Sequence, residues 1–407
     1  MEEDWKTYKL GDLIEINTNT IKKGQTKWIH YIDIKSVGSG TYVDPKRIQF
    51  DDAPSRARRL LLEGDTVISS VRPNLKSYFY SQNLKNFTIA STGFAVLSPR
   101  KIDSRFLYYL TTNDRYIDFL VKSCTGSAYP AFGPNVIVES EVTIPRSVPE
   151  QHAIASILSA LDDKIELNLQ MNKTLEEMAM TLYKHWFVDF GPFKDGEFVS
   201  SELGEIPKGW EVARFGELIS SRKSNRTVNA ISENDKYIGL EHIDKGSLSL
   251  LKFGSGLDVS SNKSGFLKGD ILFGKLRPYF KKVGIAPFDG ICSTDILVIT
   301  PKHARDFGYV LMTIFSDRFI DYATTVSGGT RMPRVNWSDI QDYKIVIQKS
   351  RDLSTKFTEV VNLFVEQIFA NINEYQILTS MRDVLLPKLI SGEVRVKDAA
   401  KTIAEAL

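Results

Sequence analysis

Two segments concentrate the side chains best suited to grip a polyanion. Ser69-Ser-Val-Arg72-Pro-Asn74-Leu-Lys76-Ser-Tyr78 and Gly274-Lys275-Leu-Arg277-Pro-Tyr279-Phe-Lys281-Lys282 each follow a short apolar run, and in each a proline forces a turn directly after an arginine. Lys and Arg neutralise phosphates, while forked and amide donors match the edges of bases. Candidate contacts are Ser70, Arg72, Asn74, Lys76 and Tyr78 in the first segment and Lys275, Arg277, Tyr279, Lys281 and Lys282 in the second. The plainer alternative is that the shared Arg72 and Arg277 pin the loop or clamp phosphates, leaving base reading to their unlike neighbours. A second pair of segments is Thr125-Gly-Ser127-Ala-Tyr129-Pro130 and Gly328-Gly-Thr330-Arg331-Met-Pro-Arg334. Small hydroxyl residues beside glycine admit close approach of a backbone to phosphate, and Arg331 or Arg334 could fork onto guanine. A solvated loop is the competing reading. Lys35-Ser36 and Glu241-His242 sit at equivalent places after Tyr-Ile runs, and ordinary strand-end polarity would also explain them.

Catalytic chemistry is harder to find. Gly38-Ser-Gly40 and Gly254-Ser-Gly256 lack the third glycine and acidic residue of a dinucleotide turn, and no Walker phosphate loop occurs. His30, His152, His185, His242 and His303 show no metal-ligand spacing. A methyltransferase would need a glycine-rich cofactor turn and an Asn-Pro-Pro-aromatic type of segment; Asp189-Phe-Gly-Pro-Phe193 is only a faint echo and reads as a helix terminator. No catalytic residue and no metal site is assigned.

The elements that must carry the candidate loops emerge from self-comparison. Trp5-Lys-Thr-Tyr-Lys-Leu-Gly-Asp-Leu-Ile14 matches Trp210-Glu-Val-Ala-Arg-Phe-Gly-Glu-Leu-Ile219. Tyr31-Ile32, Gly64-Asp65, Arg72-Pro73 and Ser91-Thr92 recur as Tyr237-Ile238, Gly269-Asp270, Arg277-Pro278 and Ser293-Thr294, at offsets between 202 and 206 residues. Chance does not hold so many landmarks in register, whereas small loop insertions explain the drift. The chain is a tandem duplication.

Each half opens with short β-rich runs, such as Thr66-Val-Ile68 and Ile271-Leu-Phe273, punctuated by turn formers, and includes some helical spacing near Ser104 and Phe307. A long heptad stripe follows. In the first half it includes Leu158, Leu161, Ile165, Leu175 and Leu182, and in the second Val361, Phe364, Ile368, Leu378 and Leu385. Asn168 and Asn172 interrupt the first stripe and Asn371 the second; they are either tolerated seam positions facing a widened gap or a partner, or register controls, since a buried amide would penalise slipped pairing. Ser147-Val-Pro-Glu150 suits a helix start and Gly191-Pro192 an end. A helix of about forty residues would be roughly 60 Å long, the length of a spacer. Neither helix can hide such a stripe alone, so each is the other's expected partner. The expected fold is α+β, with two strand-rich domains separated by two long antiparallel coiled-coil helices and an internal pseudo-twofold repeat. The expected segments are 1–146, a first strand-rich domain; 147–190, the first long helix; 191–209, a linker; 210–349, a second strand-rich domain; 350–392, the second long helix; and 393–407, a tail.

Composition agrees with a folded multidomain protein. The 407 residues are 42% hydrophobic and 25% charged, and 52 basic against 50 acidic residues leave a formal charge of +2. Any nucleic-acid surface must therefore come from local clustering of charge. Two cysteines are too few for a disulfide scaffold or a thiolate zinc site. With no secretory signal and no long apolar run, the expected location is the cytoplasm, away from membranes.

Several phrases together resemble the specificity subunit of Type I restriction–modification systems. They are Trp5-(x5)-Gly11-Asp-Leu13, Pro149-Glu-Gln151, His185-Trp-Phe-Val-Asp-Phe190, Gly204-Glu-Ile-Pro-Lys-Gly-Trp210 and Leu389-Ile-Ser-Gly-Glu393, set on the duplicated globule-plus-helix plan. The first half lacks the Gly-Glu-Ile-Pro prefix, and the second helix begins at Arg351-Asp-Leu-Ser without the Pro-x-Gln phrase. The resemblance implies that each globule reads one half of a split site in double-stranded DNA, while the helices set the gap and dock other subunits. It implies two methyltransferase subunits and, for cleavage, restriction subunits. S-adenosylmethionine, ATP and magnesium would then belong to those partners, with no cofactor on this chain. The competing functions are a structural scaffold with two protein-binding heads, and a stand-alone nuclease or methyltransferase, which the absent motifs disfavour.

Overall fold

The computed structural model describes residues 4–22 and 24–406, so the outermost residues of the expected segments 1–146 and 393–407 lie outside the described residues, as does position 23. Helices run over Ser104–Thr112 (α1), Asp114–Lys122 (α2), Pro134–Val138 (α3), Val148–Tyr183 (α4), Phe307–Phe315 (α5), Asp317–Val326 (α6), Trp337–Asp342 (α7), Asp352–Ser391 (α8) and Val396–Ala406 (α9). The chain divides into two compact units, Met1–Asp163 with Leu378–Leu407, and Lys164–Ile377. Each contains one strand-rich head and a stretch of both long helices. Among the described residues no helix is long and apolar enough to cross a membrane.

In the first unit, Trp5–Lys9 pairs antiparallel with Glu141–Pro145. A four-stranded antiparallel sheet has the order Ile14–Ile16, Phe94–Pro99, Thr66–Ser69, Tyr78–Tyr80. A second sheet orders Arg47–Gln49, Trp28–Ile32, Thr88–Ser91 and Ala57–Leu60, with a parallel pair at its centre in which Tyr31 faces Ile89. The residues of Thr66-Val-Ile-Ser69, three of them β-branched, are all buried, which suits a central strand covered on two faces. Asp103 caps α1 by accepting the Phe106 amide at 2.9 Å, and Asn113 caps α2 by accepting that of Tyr116 at 3.0 Å.

The second unit repeats this plan. Trp210–Arg214 pairs with Lys344–Gln348, and Ile219–Ser221, Ile296–Pro301, Ile271–Gly274 and Val283–Ile285 form the antiparallel sheet. The other sheet again contains one parallel pair, with Tyr237 facing Ile291. Ser316 caps α6 in the place of Asn113. The segment 191–209, expected to be a linker, is folded: Phe198–Ser201 and Gly204–Pro207 form a hairpin. Its turn closes because Gly204 adopts φ of +100°, and Phe190 and Phe193 each meet the ring of Trp210 edge-on at 5.3 Å. The expected tail likewise carries α9, with Ala399 fully buried and Arg395 within 3.9 Å of Glu150.

The long helices run antiparallel within each unit. In the first, Arg382 of α8 meets Asp162 of α4 at 3.0 Å while Arg395, just beyond α8, reaches Glu150. In the second, Asn371 Nδ2 donates to Asn172 Oδ1 at 2.8 Å, and Asn168 donates to Glu374 at 2.9 Å. Farther along, Tyr183, Trp186 and Phe187 surround Phe357 with ring centroids 5.2 to 6.2 Å away. The interrupting amides therefore bond across the helices. Among the expected seam residues, Leu158, Leu161, Ile165, Val361, Ile368, Leu378 and Leu385 are buried. Leu175, Leu182 and Phe364 are only partly so; along the same stretch of α4, Glu176, Ala179 and Tyr183 turn inward instead. The reason is that α4 must cover the head as well as α8. Ala179, Tyr183 and Phe187 share one core with Phe357, Val361 and Val365 of α8 and with head residues such as Leu248, Phe273 and Tyr309.

Phe357 is fully buried at the centre of that junction. Truncating it in Phe357→Ala is expected to lower unfolding free energy by about 3–5 kcal/mol in urea titration. A loss below about 1 kcal/mol would show that the aromatic cluster does not hold head and helices together.

Candidate nucleic-acid interface

The two candidate loops of each head are a single structure. After the strand Thr66–Ser69 the chain reaches Arg72 at φ 49°, makes a short 3-10 turn over Pro73–Leu75, and leaves through Lys76 at φ 51°. Arg277, Pro278–Phe280 and Lys281 repeat this course, with φ of 51° at Arg277 and 49° at Lys281. Left-handed backbone at a non-glycine residue costs of the order of 1 kcal/mol and persists where surroundings over-determine it. Here they do. The Arg72 amide donates to the Pro130 carbonyl at 2.8 Å and its Nη2 to the Ala128 carbonyl at 3.2 Å, while its guanidinium lies 4.5 Å from the centroid of the Tyr129 ring. The Arg277 amide donates to the Pro333 carbonyl at 2.8 Å and its Nη2 to that of Arg331 at 3.3 Å.

The partner loops are closed by their own bridges, Thr125 to Ala131 and Gly328 to Arg334. Gly126 and Gly329, at φ of +89° and +104°, make those turns possible. Two stretches distant in sequence, 56 residues apart at Arg72–Ala128 and 54 at Arg277–Arg331, are thus brought together in each head.

Several expected contacts have their valences filled. Lys76 Nζ pairs with Asp114 at 2.7 Å and Lys281 Nζ with Asp317 at 2.6 Å, each at the first residue of a helix. Hydrogen bonding to Asp114 holds the Lys76 ammonium above its usual pKa. Arg334 bonds Asp295 through Nε at 3.0 Å. Lys282 Nζ donates to the Leu240 carbonyl at 2.5 Å, and Lys275 is half-buried. Tyr78 accepts from Ser39 at 2.8 Å, Ser70 donates to the Gly93 carbonyl at 2.9 Å, and Ser36 donates to the Asp33 carbonyl. His242 Nδ1 accepts the Gly239 amide at 3.0 Å.

Others are exposed: Lys35, Arg72, Asn74, Ser127, Tyr129, Glu241, Tyr279, Thr330 and Arg331. Tyr129 is 70% accessible, and Tyr279 presents 44% beside Phe280, with centroids 4.7 Å apart. The exposed fork of Arg331 points to a donor available for a ligand.

Sequence reading missed Arg56, which donates to the Tyr31 hydroxyl at 3.1 Å and to Asp33 at 2.5 Å beside the Lys35 loop. Burial pushes the Asp33 carboxyl up, but the Lys35 amide and the Arg56 guanidinium outweigh it and hold the group below its ordinary value. The signal was the basic run Arg56, Arg58, Arg59 in a segment opened by Pro54. Arg47, stacked 4.6 Å from the ring of Trp28, was missed as well. The described residues hold no cluster of His, Cys, Asp and Glu fit for a metal ion. Forked donors and aromatic faces on braced loops can bind and discriminate; nothing among the described residues of these loops is arranged to cleave or transfer a bond.

Comparison with known proteins identifies the family. The family described as the Type I restriction modification DNA specificity domain matches residues 2–177 and 207–348, one stretch in each half of the repeat. The chain belongs to this family. It is similar to the MjaIX specificity subunit of Methanocaldococcus jannaschii, 29% identical over 97% of this chain and 95% of that protein. It is similar also to the HindI specificity subunit of Haemophilus influenzae, 23% identical over 96% of this chain and all of that one. The fold matches the crystal structure of a Type I restriction–modification S subunit from M. genitalium, with a TM-score of 0.58, 15% identity, and coverage of 95% of this chain and 96% of that one. As a member of the specificity family, the chain serves DNA recognition within a Type I restriction–modification complex and is noncatalytic on its own.

The Lys281–Asp317 pair is expected to steady the loop without dominating stability, because Asp317 is 85% accessible. A double-mutant cycle of Lys281→Ala and Asp317→Ala should give a coupling of about 0.5–1 kcal/mol in denaturant unfolding. A coupling indistinguishable from zero would remove the brace.

Proposed function

We propose that each head of this specificity subunit reads one half of a bipartite double-stranded DNA target through its paired loops. The observation that supports this most directly is the left-handed arginine at the same place in both heads, clamped to a second loop whose side chains differ between the heads. A shared frame with unlike side chains suits one docking mode on two different half-sequences. In the first head the base and phosphate contacts fall to Arg72, Asn74, Ser127 and Tyr129, with Lys35 at the rim. In the second they fall to Tyr279, Thr330 and Arg331, with the half-buried Lys275 in support and Glu241 at the rim. Lys76, Lys281, Lys282, Arg334, Tyr78, Ser70, Ser36 and His242 shape the loops.

The reading heads are residues 1–146 and 210–349, and the helical segments 147–190 and 350–392 set the gap between half-sites. Those helices also present apolar side chains to solvent: Leu167 and Met178 on α4, and Leu363, Ile377 and Val384 on α8. This pattern supports docking of two methyltransferase subunits there, with restriction subunits joining the complex. S-adenosylmethionine, ATP and magnesium belong to those partners. The two cysteines, both free thiols, suit the cytoplasm.

Arg331→Ala tests the reading of the second head. Adenine methylation mapped across the genome of cells carrying the variant complex should show relaxed preference at one base of one half-site, by about 1–3 kcal/mol or roughly 5- to 150-fold. The other half-site should keep its letters. A methylation motif identical to that of the wild type would exclude Arg331 as a base reader.

A further inference from the structure

Glu176 lies on α4 in the second unit and is only 6% exposed, although a long polar-faced helix offers it solvent positions on either side. A buried carboxylate is costly unless its oxygens are bonded. Here one oxygen takes three bonds: Oε1 accepts from Ser247 Oγ at 3.1 Å, from the Leu248 amide at 2.9 Å and from Ser249 Oγ at 3.0 Å. Burial raises the carboxyl pKa, and the donors from Ser249, Ser247 and Leu248 pull it back only in part.

The segment it holds leads directly to the reading loop. The Gly246 amide donates to the Lys281 carbonyl at 3.1 Å, and the Ile285 amide donates to the Leu248 carbonyl at 3.0 Å, beside the bridge between Ser249 and Ile285. Lys281 is the left-handed residue that closes the turn begun by Arg277. A continuous run of bonds therefore joins α4, Ser247–Ser249, Lys281 and the Arg277 turn.

The first head is fastened otherwise. At the repeat offset of 203 residues the counterpart of Glu176 is Thr379, whose buried Oγ1 has no hydrogen-bond partner. There the Tyr109 hydroxyl donates to Asp162 at 2.7 Å, and Asp162 also accepts from Arg382. The counterparts of those three residues in the second unit are Met312, Val365 and Ala179, all apolar. The Glu176 contact is thus particular to one head and is not a generic feature of the duplicated fold.

We propose that Glu176 is a positioning residue for the second head: its carboxylate fixes the Ser247–Ser249 segment, and through it the Arg277–Lys281 loop, to α4, and so restricts the spacing at which the second half-site is accepted. This rests on the reading of that loop as a DNA contact. The shared apolar core holds the head on the helix, whereas the carboxylate holds the loop's register along it. Loss of the carboxylate loosens that register and leaves the side chains that face the bases unchanged.

The test uses the full-length chain with Glu176→Ala, Glu176→Gln and Ser249→Ala. Hydrogen exchange of the unpartnered chain should show the Leu248 amide exchanging about 10- to 100-fold faster in Glu176→Ala, the factor expected for losing a bond to a charged acceptor. Glu176→Gln, whose amide oxygen can occupy the same place, should restore most of the protection. Methylation mapping with the assembled complex should show Glu176→Ala, but not Glu176→Gln, gaining sites with unchanged half-site letters and a gap altered by one base pair. Unchanged protection at Leu248, an unchanged gap, or altered letters in Glu176→Ala would each overturn the proposal. If Glu176→Ala does not fold, Ser249→Ala carries the test, with smaller acceleration expected and none overturning it. A wild-type complex that recognises DNA while Tyr279→Ala in that loop leaves its motif intact would instead defeat the reading of the loop; the exchange result would still judge the latch.

Discussion

A helix in water must cover its apolar stripe along its length, and in this protein the cover is shared between a second helix and a folded head. In the second unit one core contains Tyr183 of α4, Phe187 just beyond it, Phe357 and Val361 of α8, and Phe273 and Tyr309 of the head. None of the three can withdraw without exposing the apolar faces of the others. That coupling converts a sheet-based domain and a pair of helices into one mechanical body. It also explains the π-helical turn at Lys184–Val188, where the helix widens as Phe187 enters the core.

Against this apolar background the polar contacts carry identity. The amide pair Asn172–Asn371 and the charged set Asp162–Arg382–Tyr109 each have one good geometry, unlike leucine packing, which tolerates slippage. Placed at non-equivalent points of a duplicated sequence, they make the two halves chemically distinguishable where their backbones are nearly alike. A mismatched pairing would leave Asp162 facing alanine or Arg382 facing valine, with a half-buried charge unanswered.

The architecture was legible because duplication leaves a periodic signature, and because heptads and turn residues act locally. Trp5 and Trp210 open equivalent strands, and the long stripes became long helices whose interrupting amides, Asn172 and Asn371, bond to each other. What escaped was non-local. Leu175 and Leu182 fit the heptad as well as any residue, yet the head competes for the helix surface and draws Glu176 and Tyr183 inward. The ion pairs of Lys76 and Lys281 join residues 38 and 36 positions apart, so a basic loop in the sequence overstated the charge available to a ligand. The hairpin at 198–207 was hidden for a different reason: Gly, Asp and Pro mark a tight turn and a loose tether alike.

The built-in carboxylates at Asp114, Asp317 and Asp295 have a consequence for ionic strength. A lysine already neutralised by a carboxylate of the protein compensates a phosphate poorly and so displaces few of the cations condensed on DNA, adding little to the entropic pull that drives indiscriminate attachment to any duplex. A head with several of its cations internally compensated gives up sheer adhesion. On the proposed reading of the loops, a larger share of its binding comes from the few groups that depend on the identity of the base, which favours rapid release from the vast excess of wrong sequences.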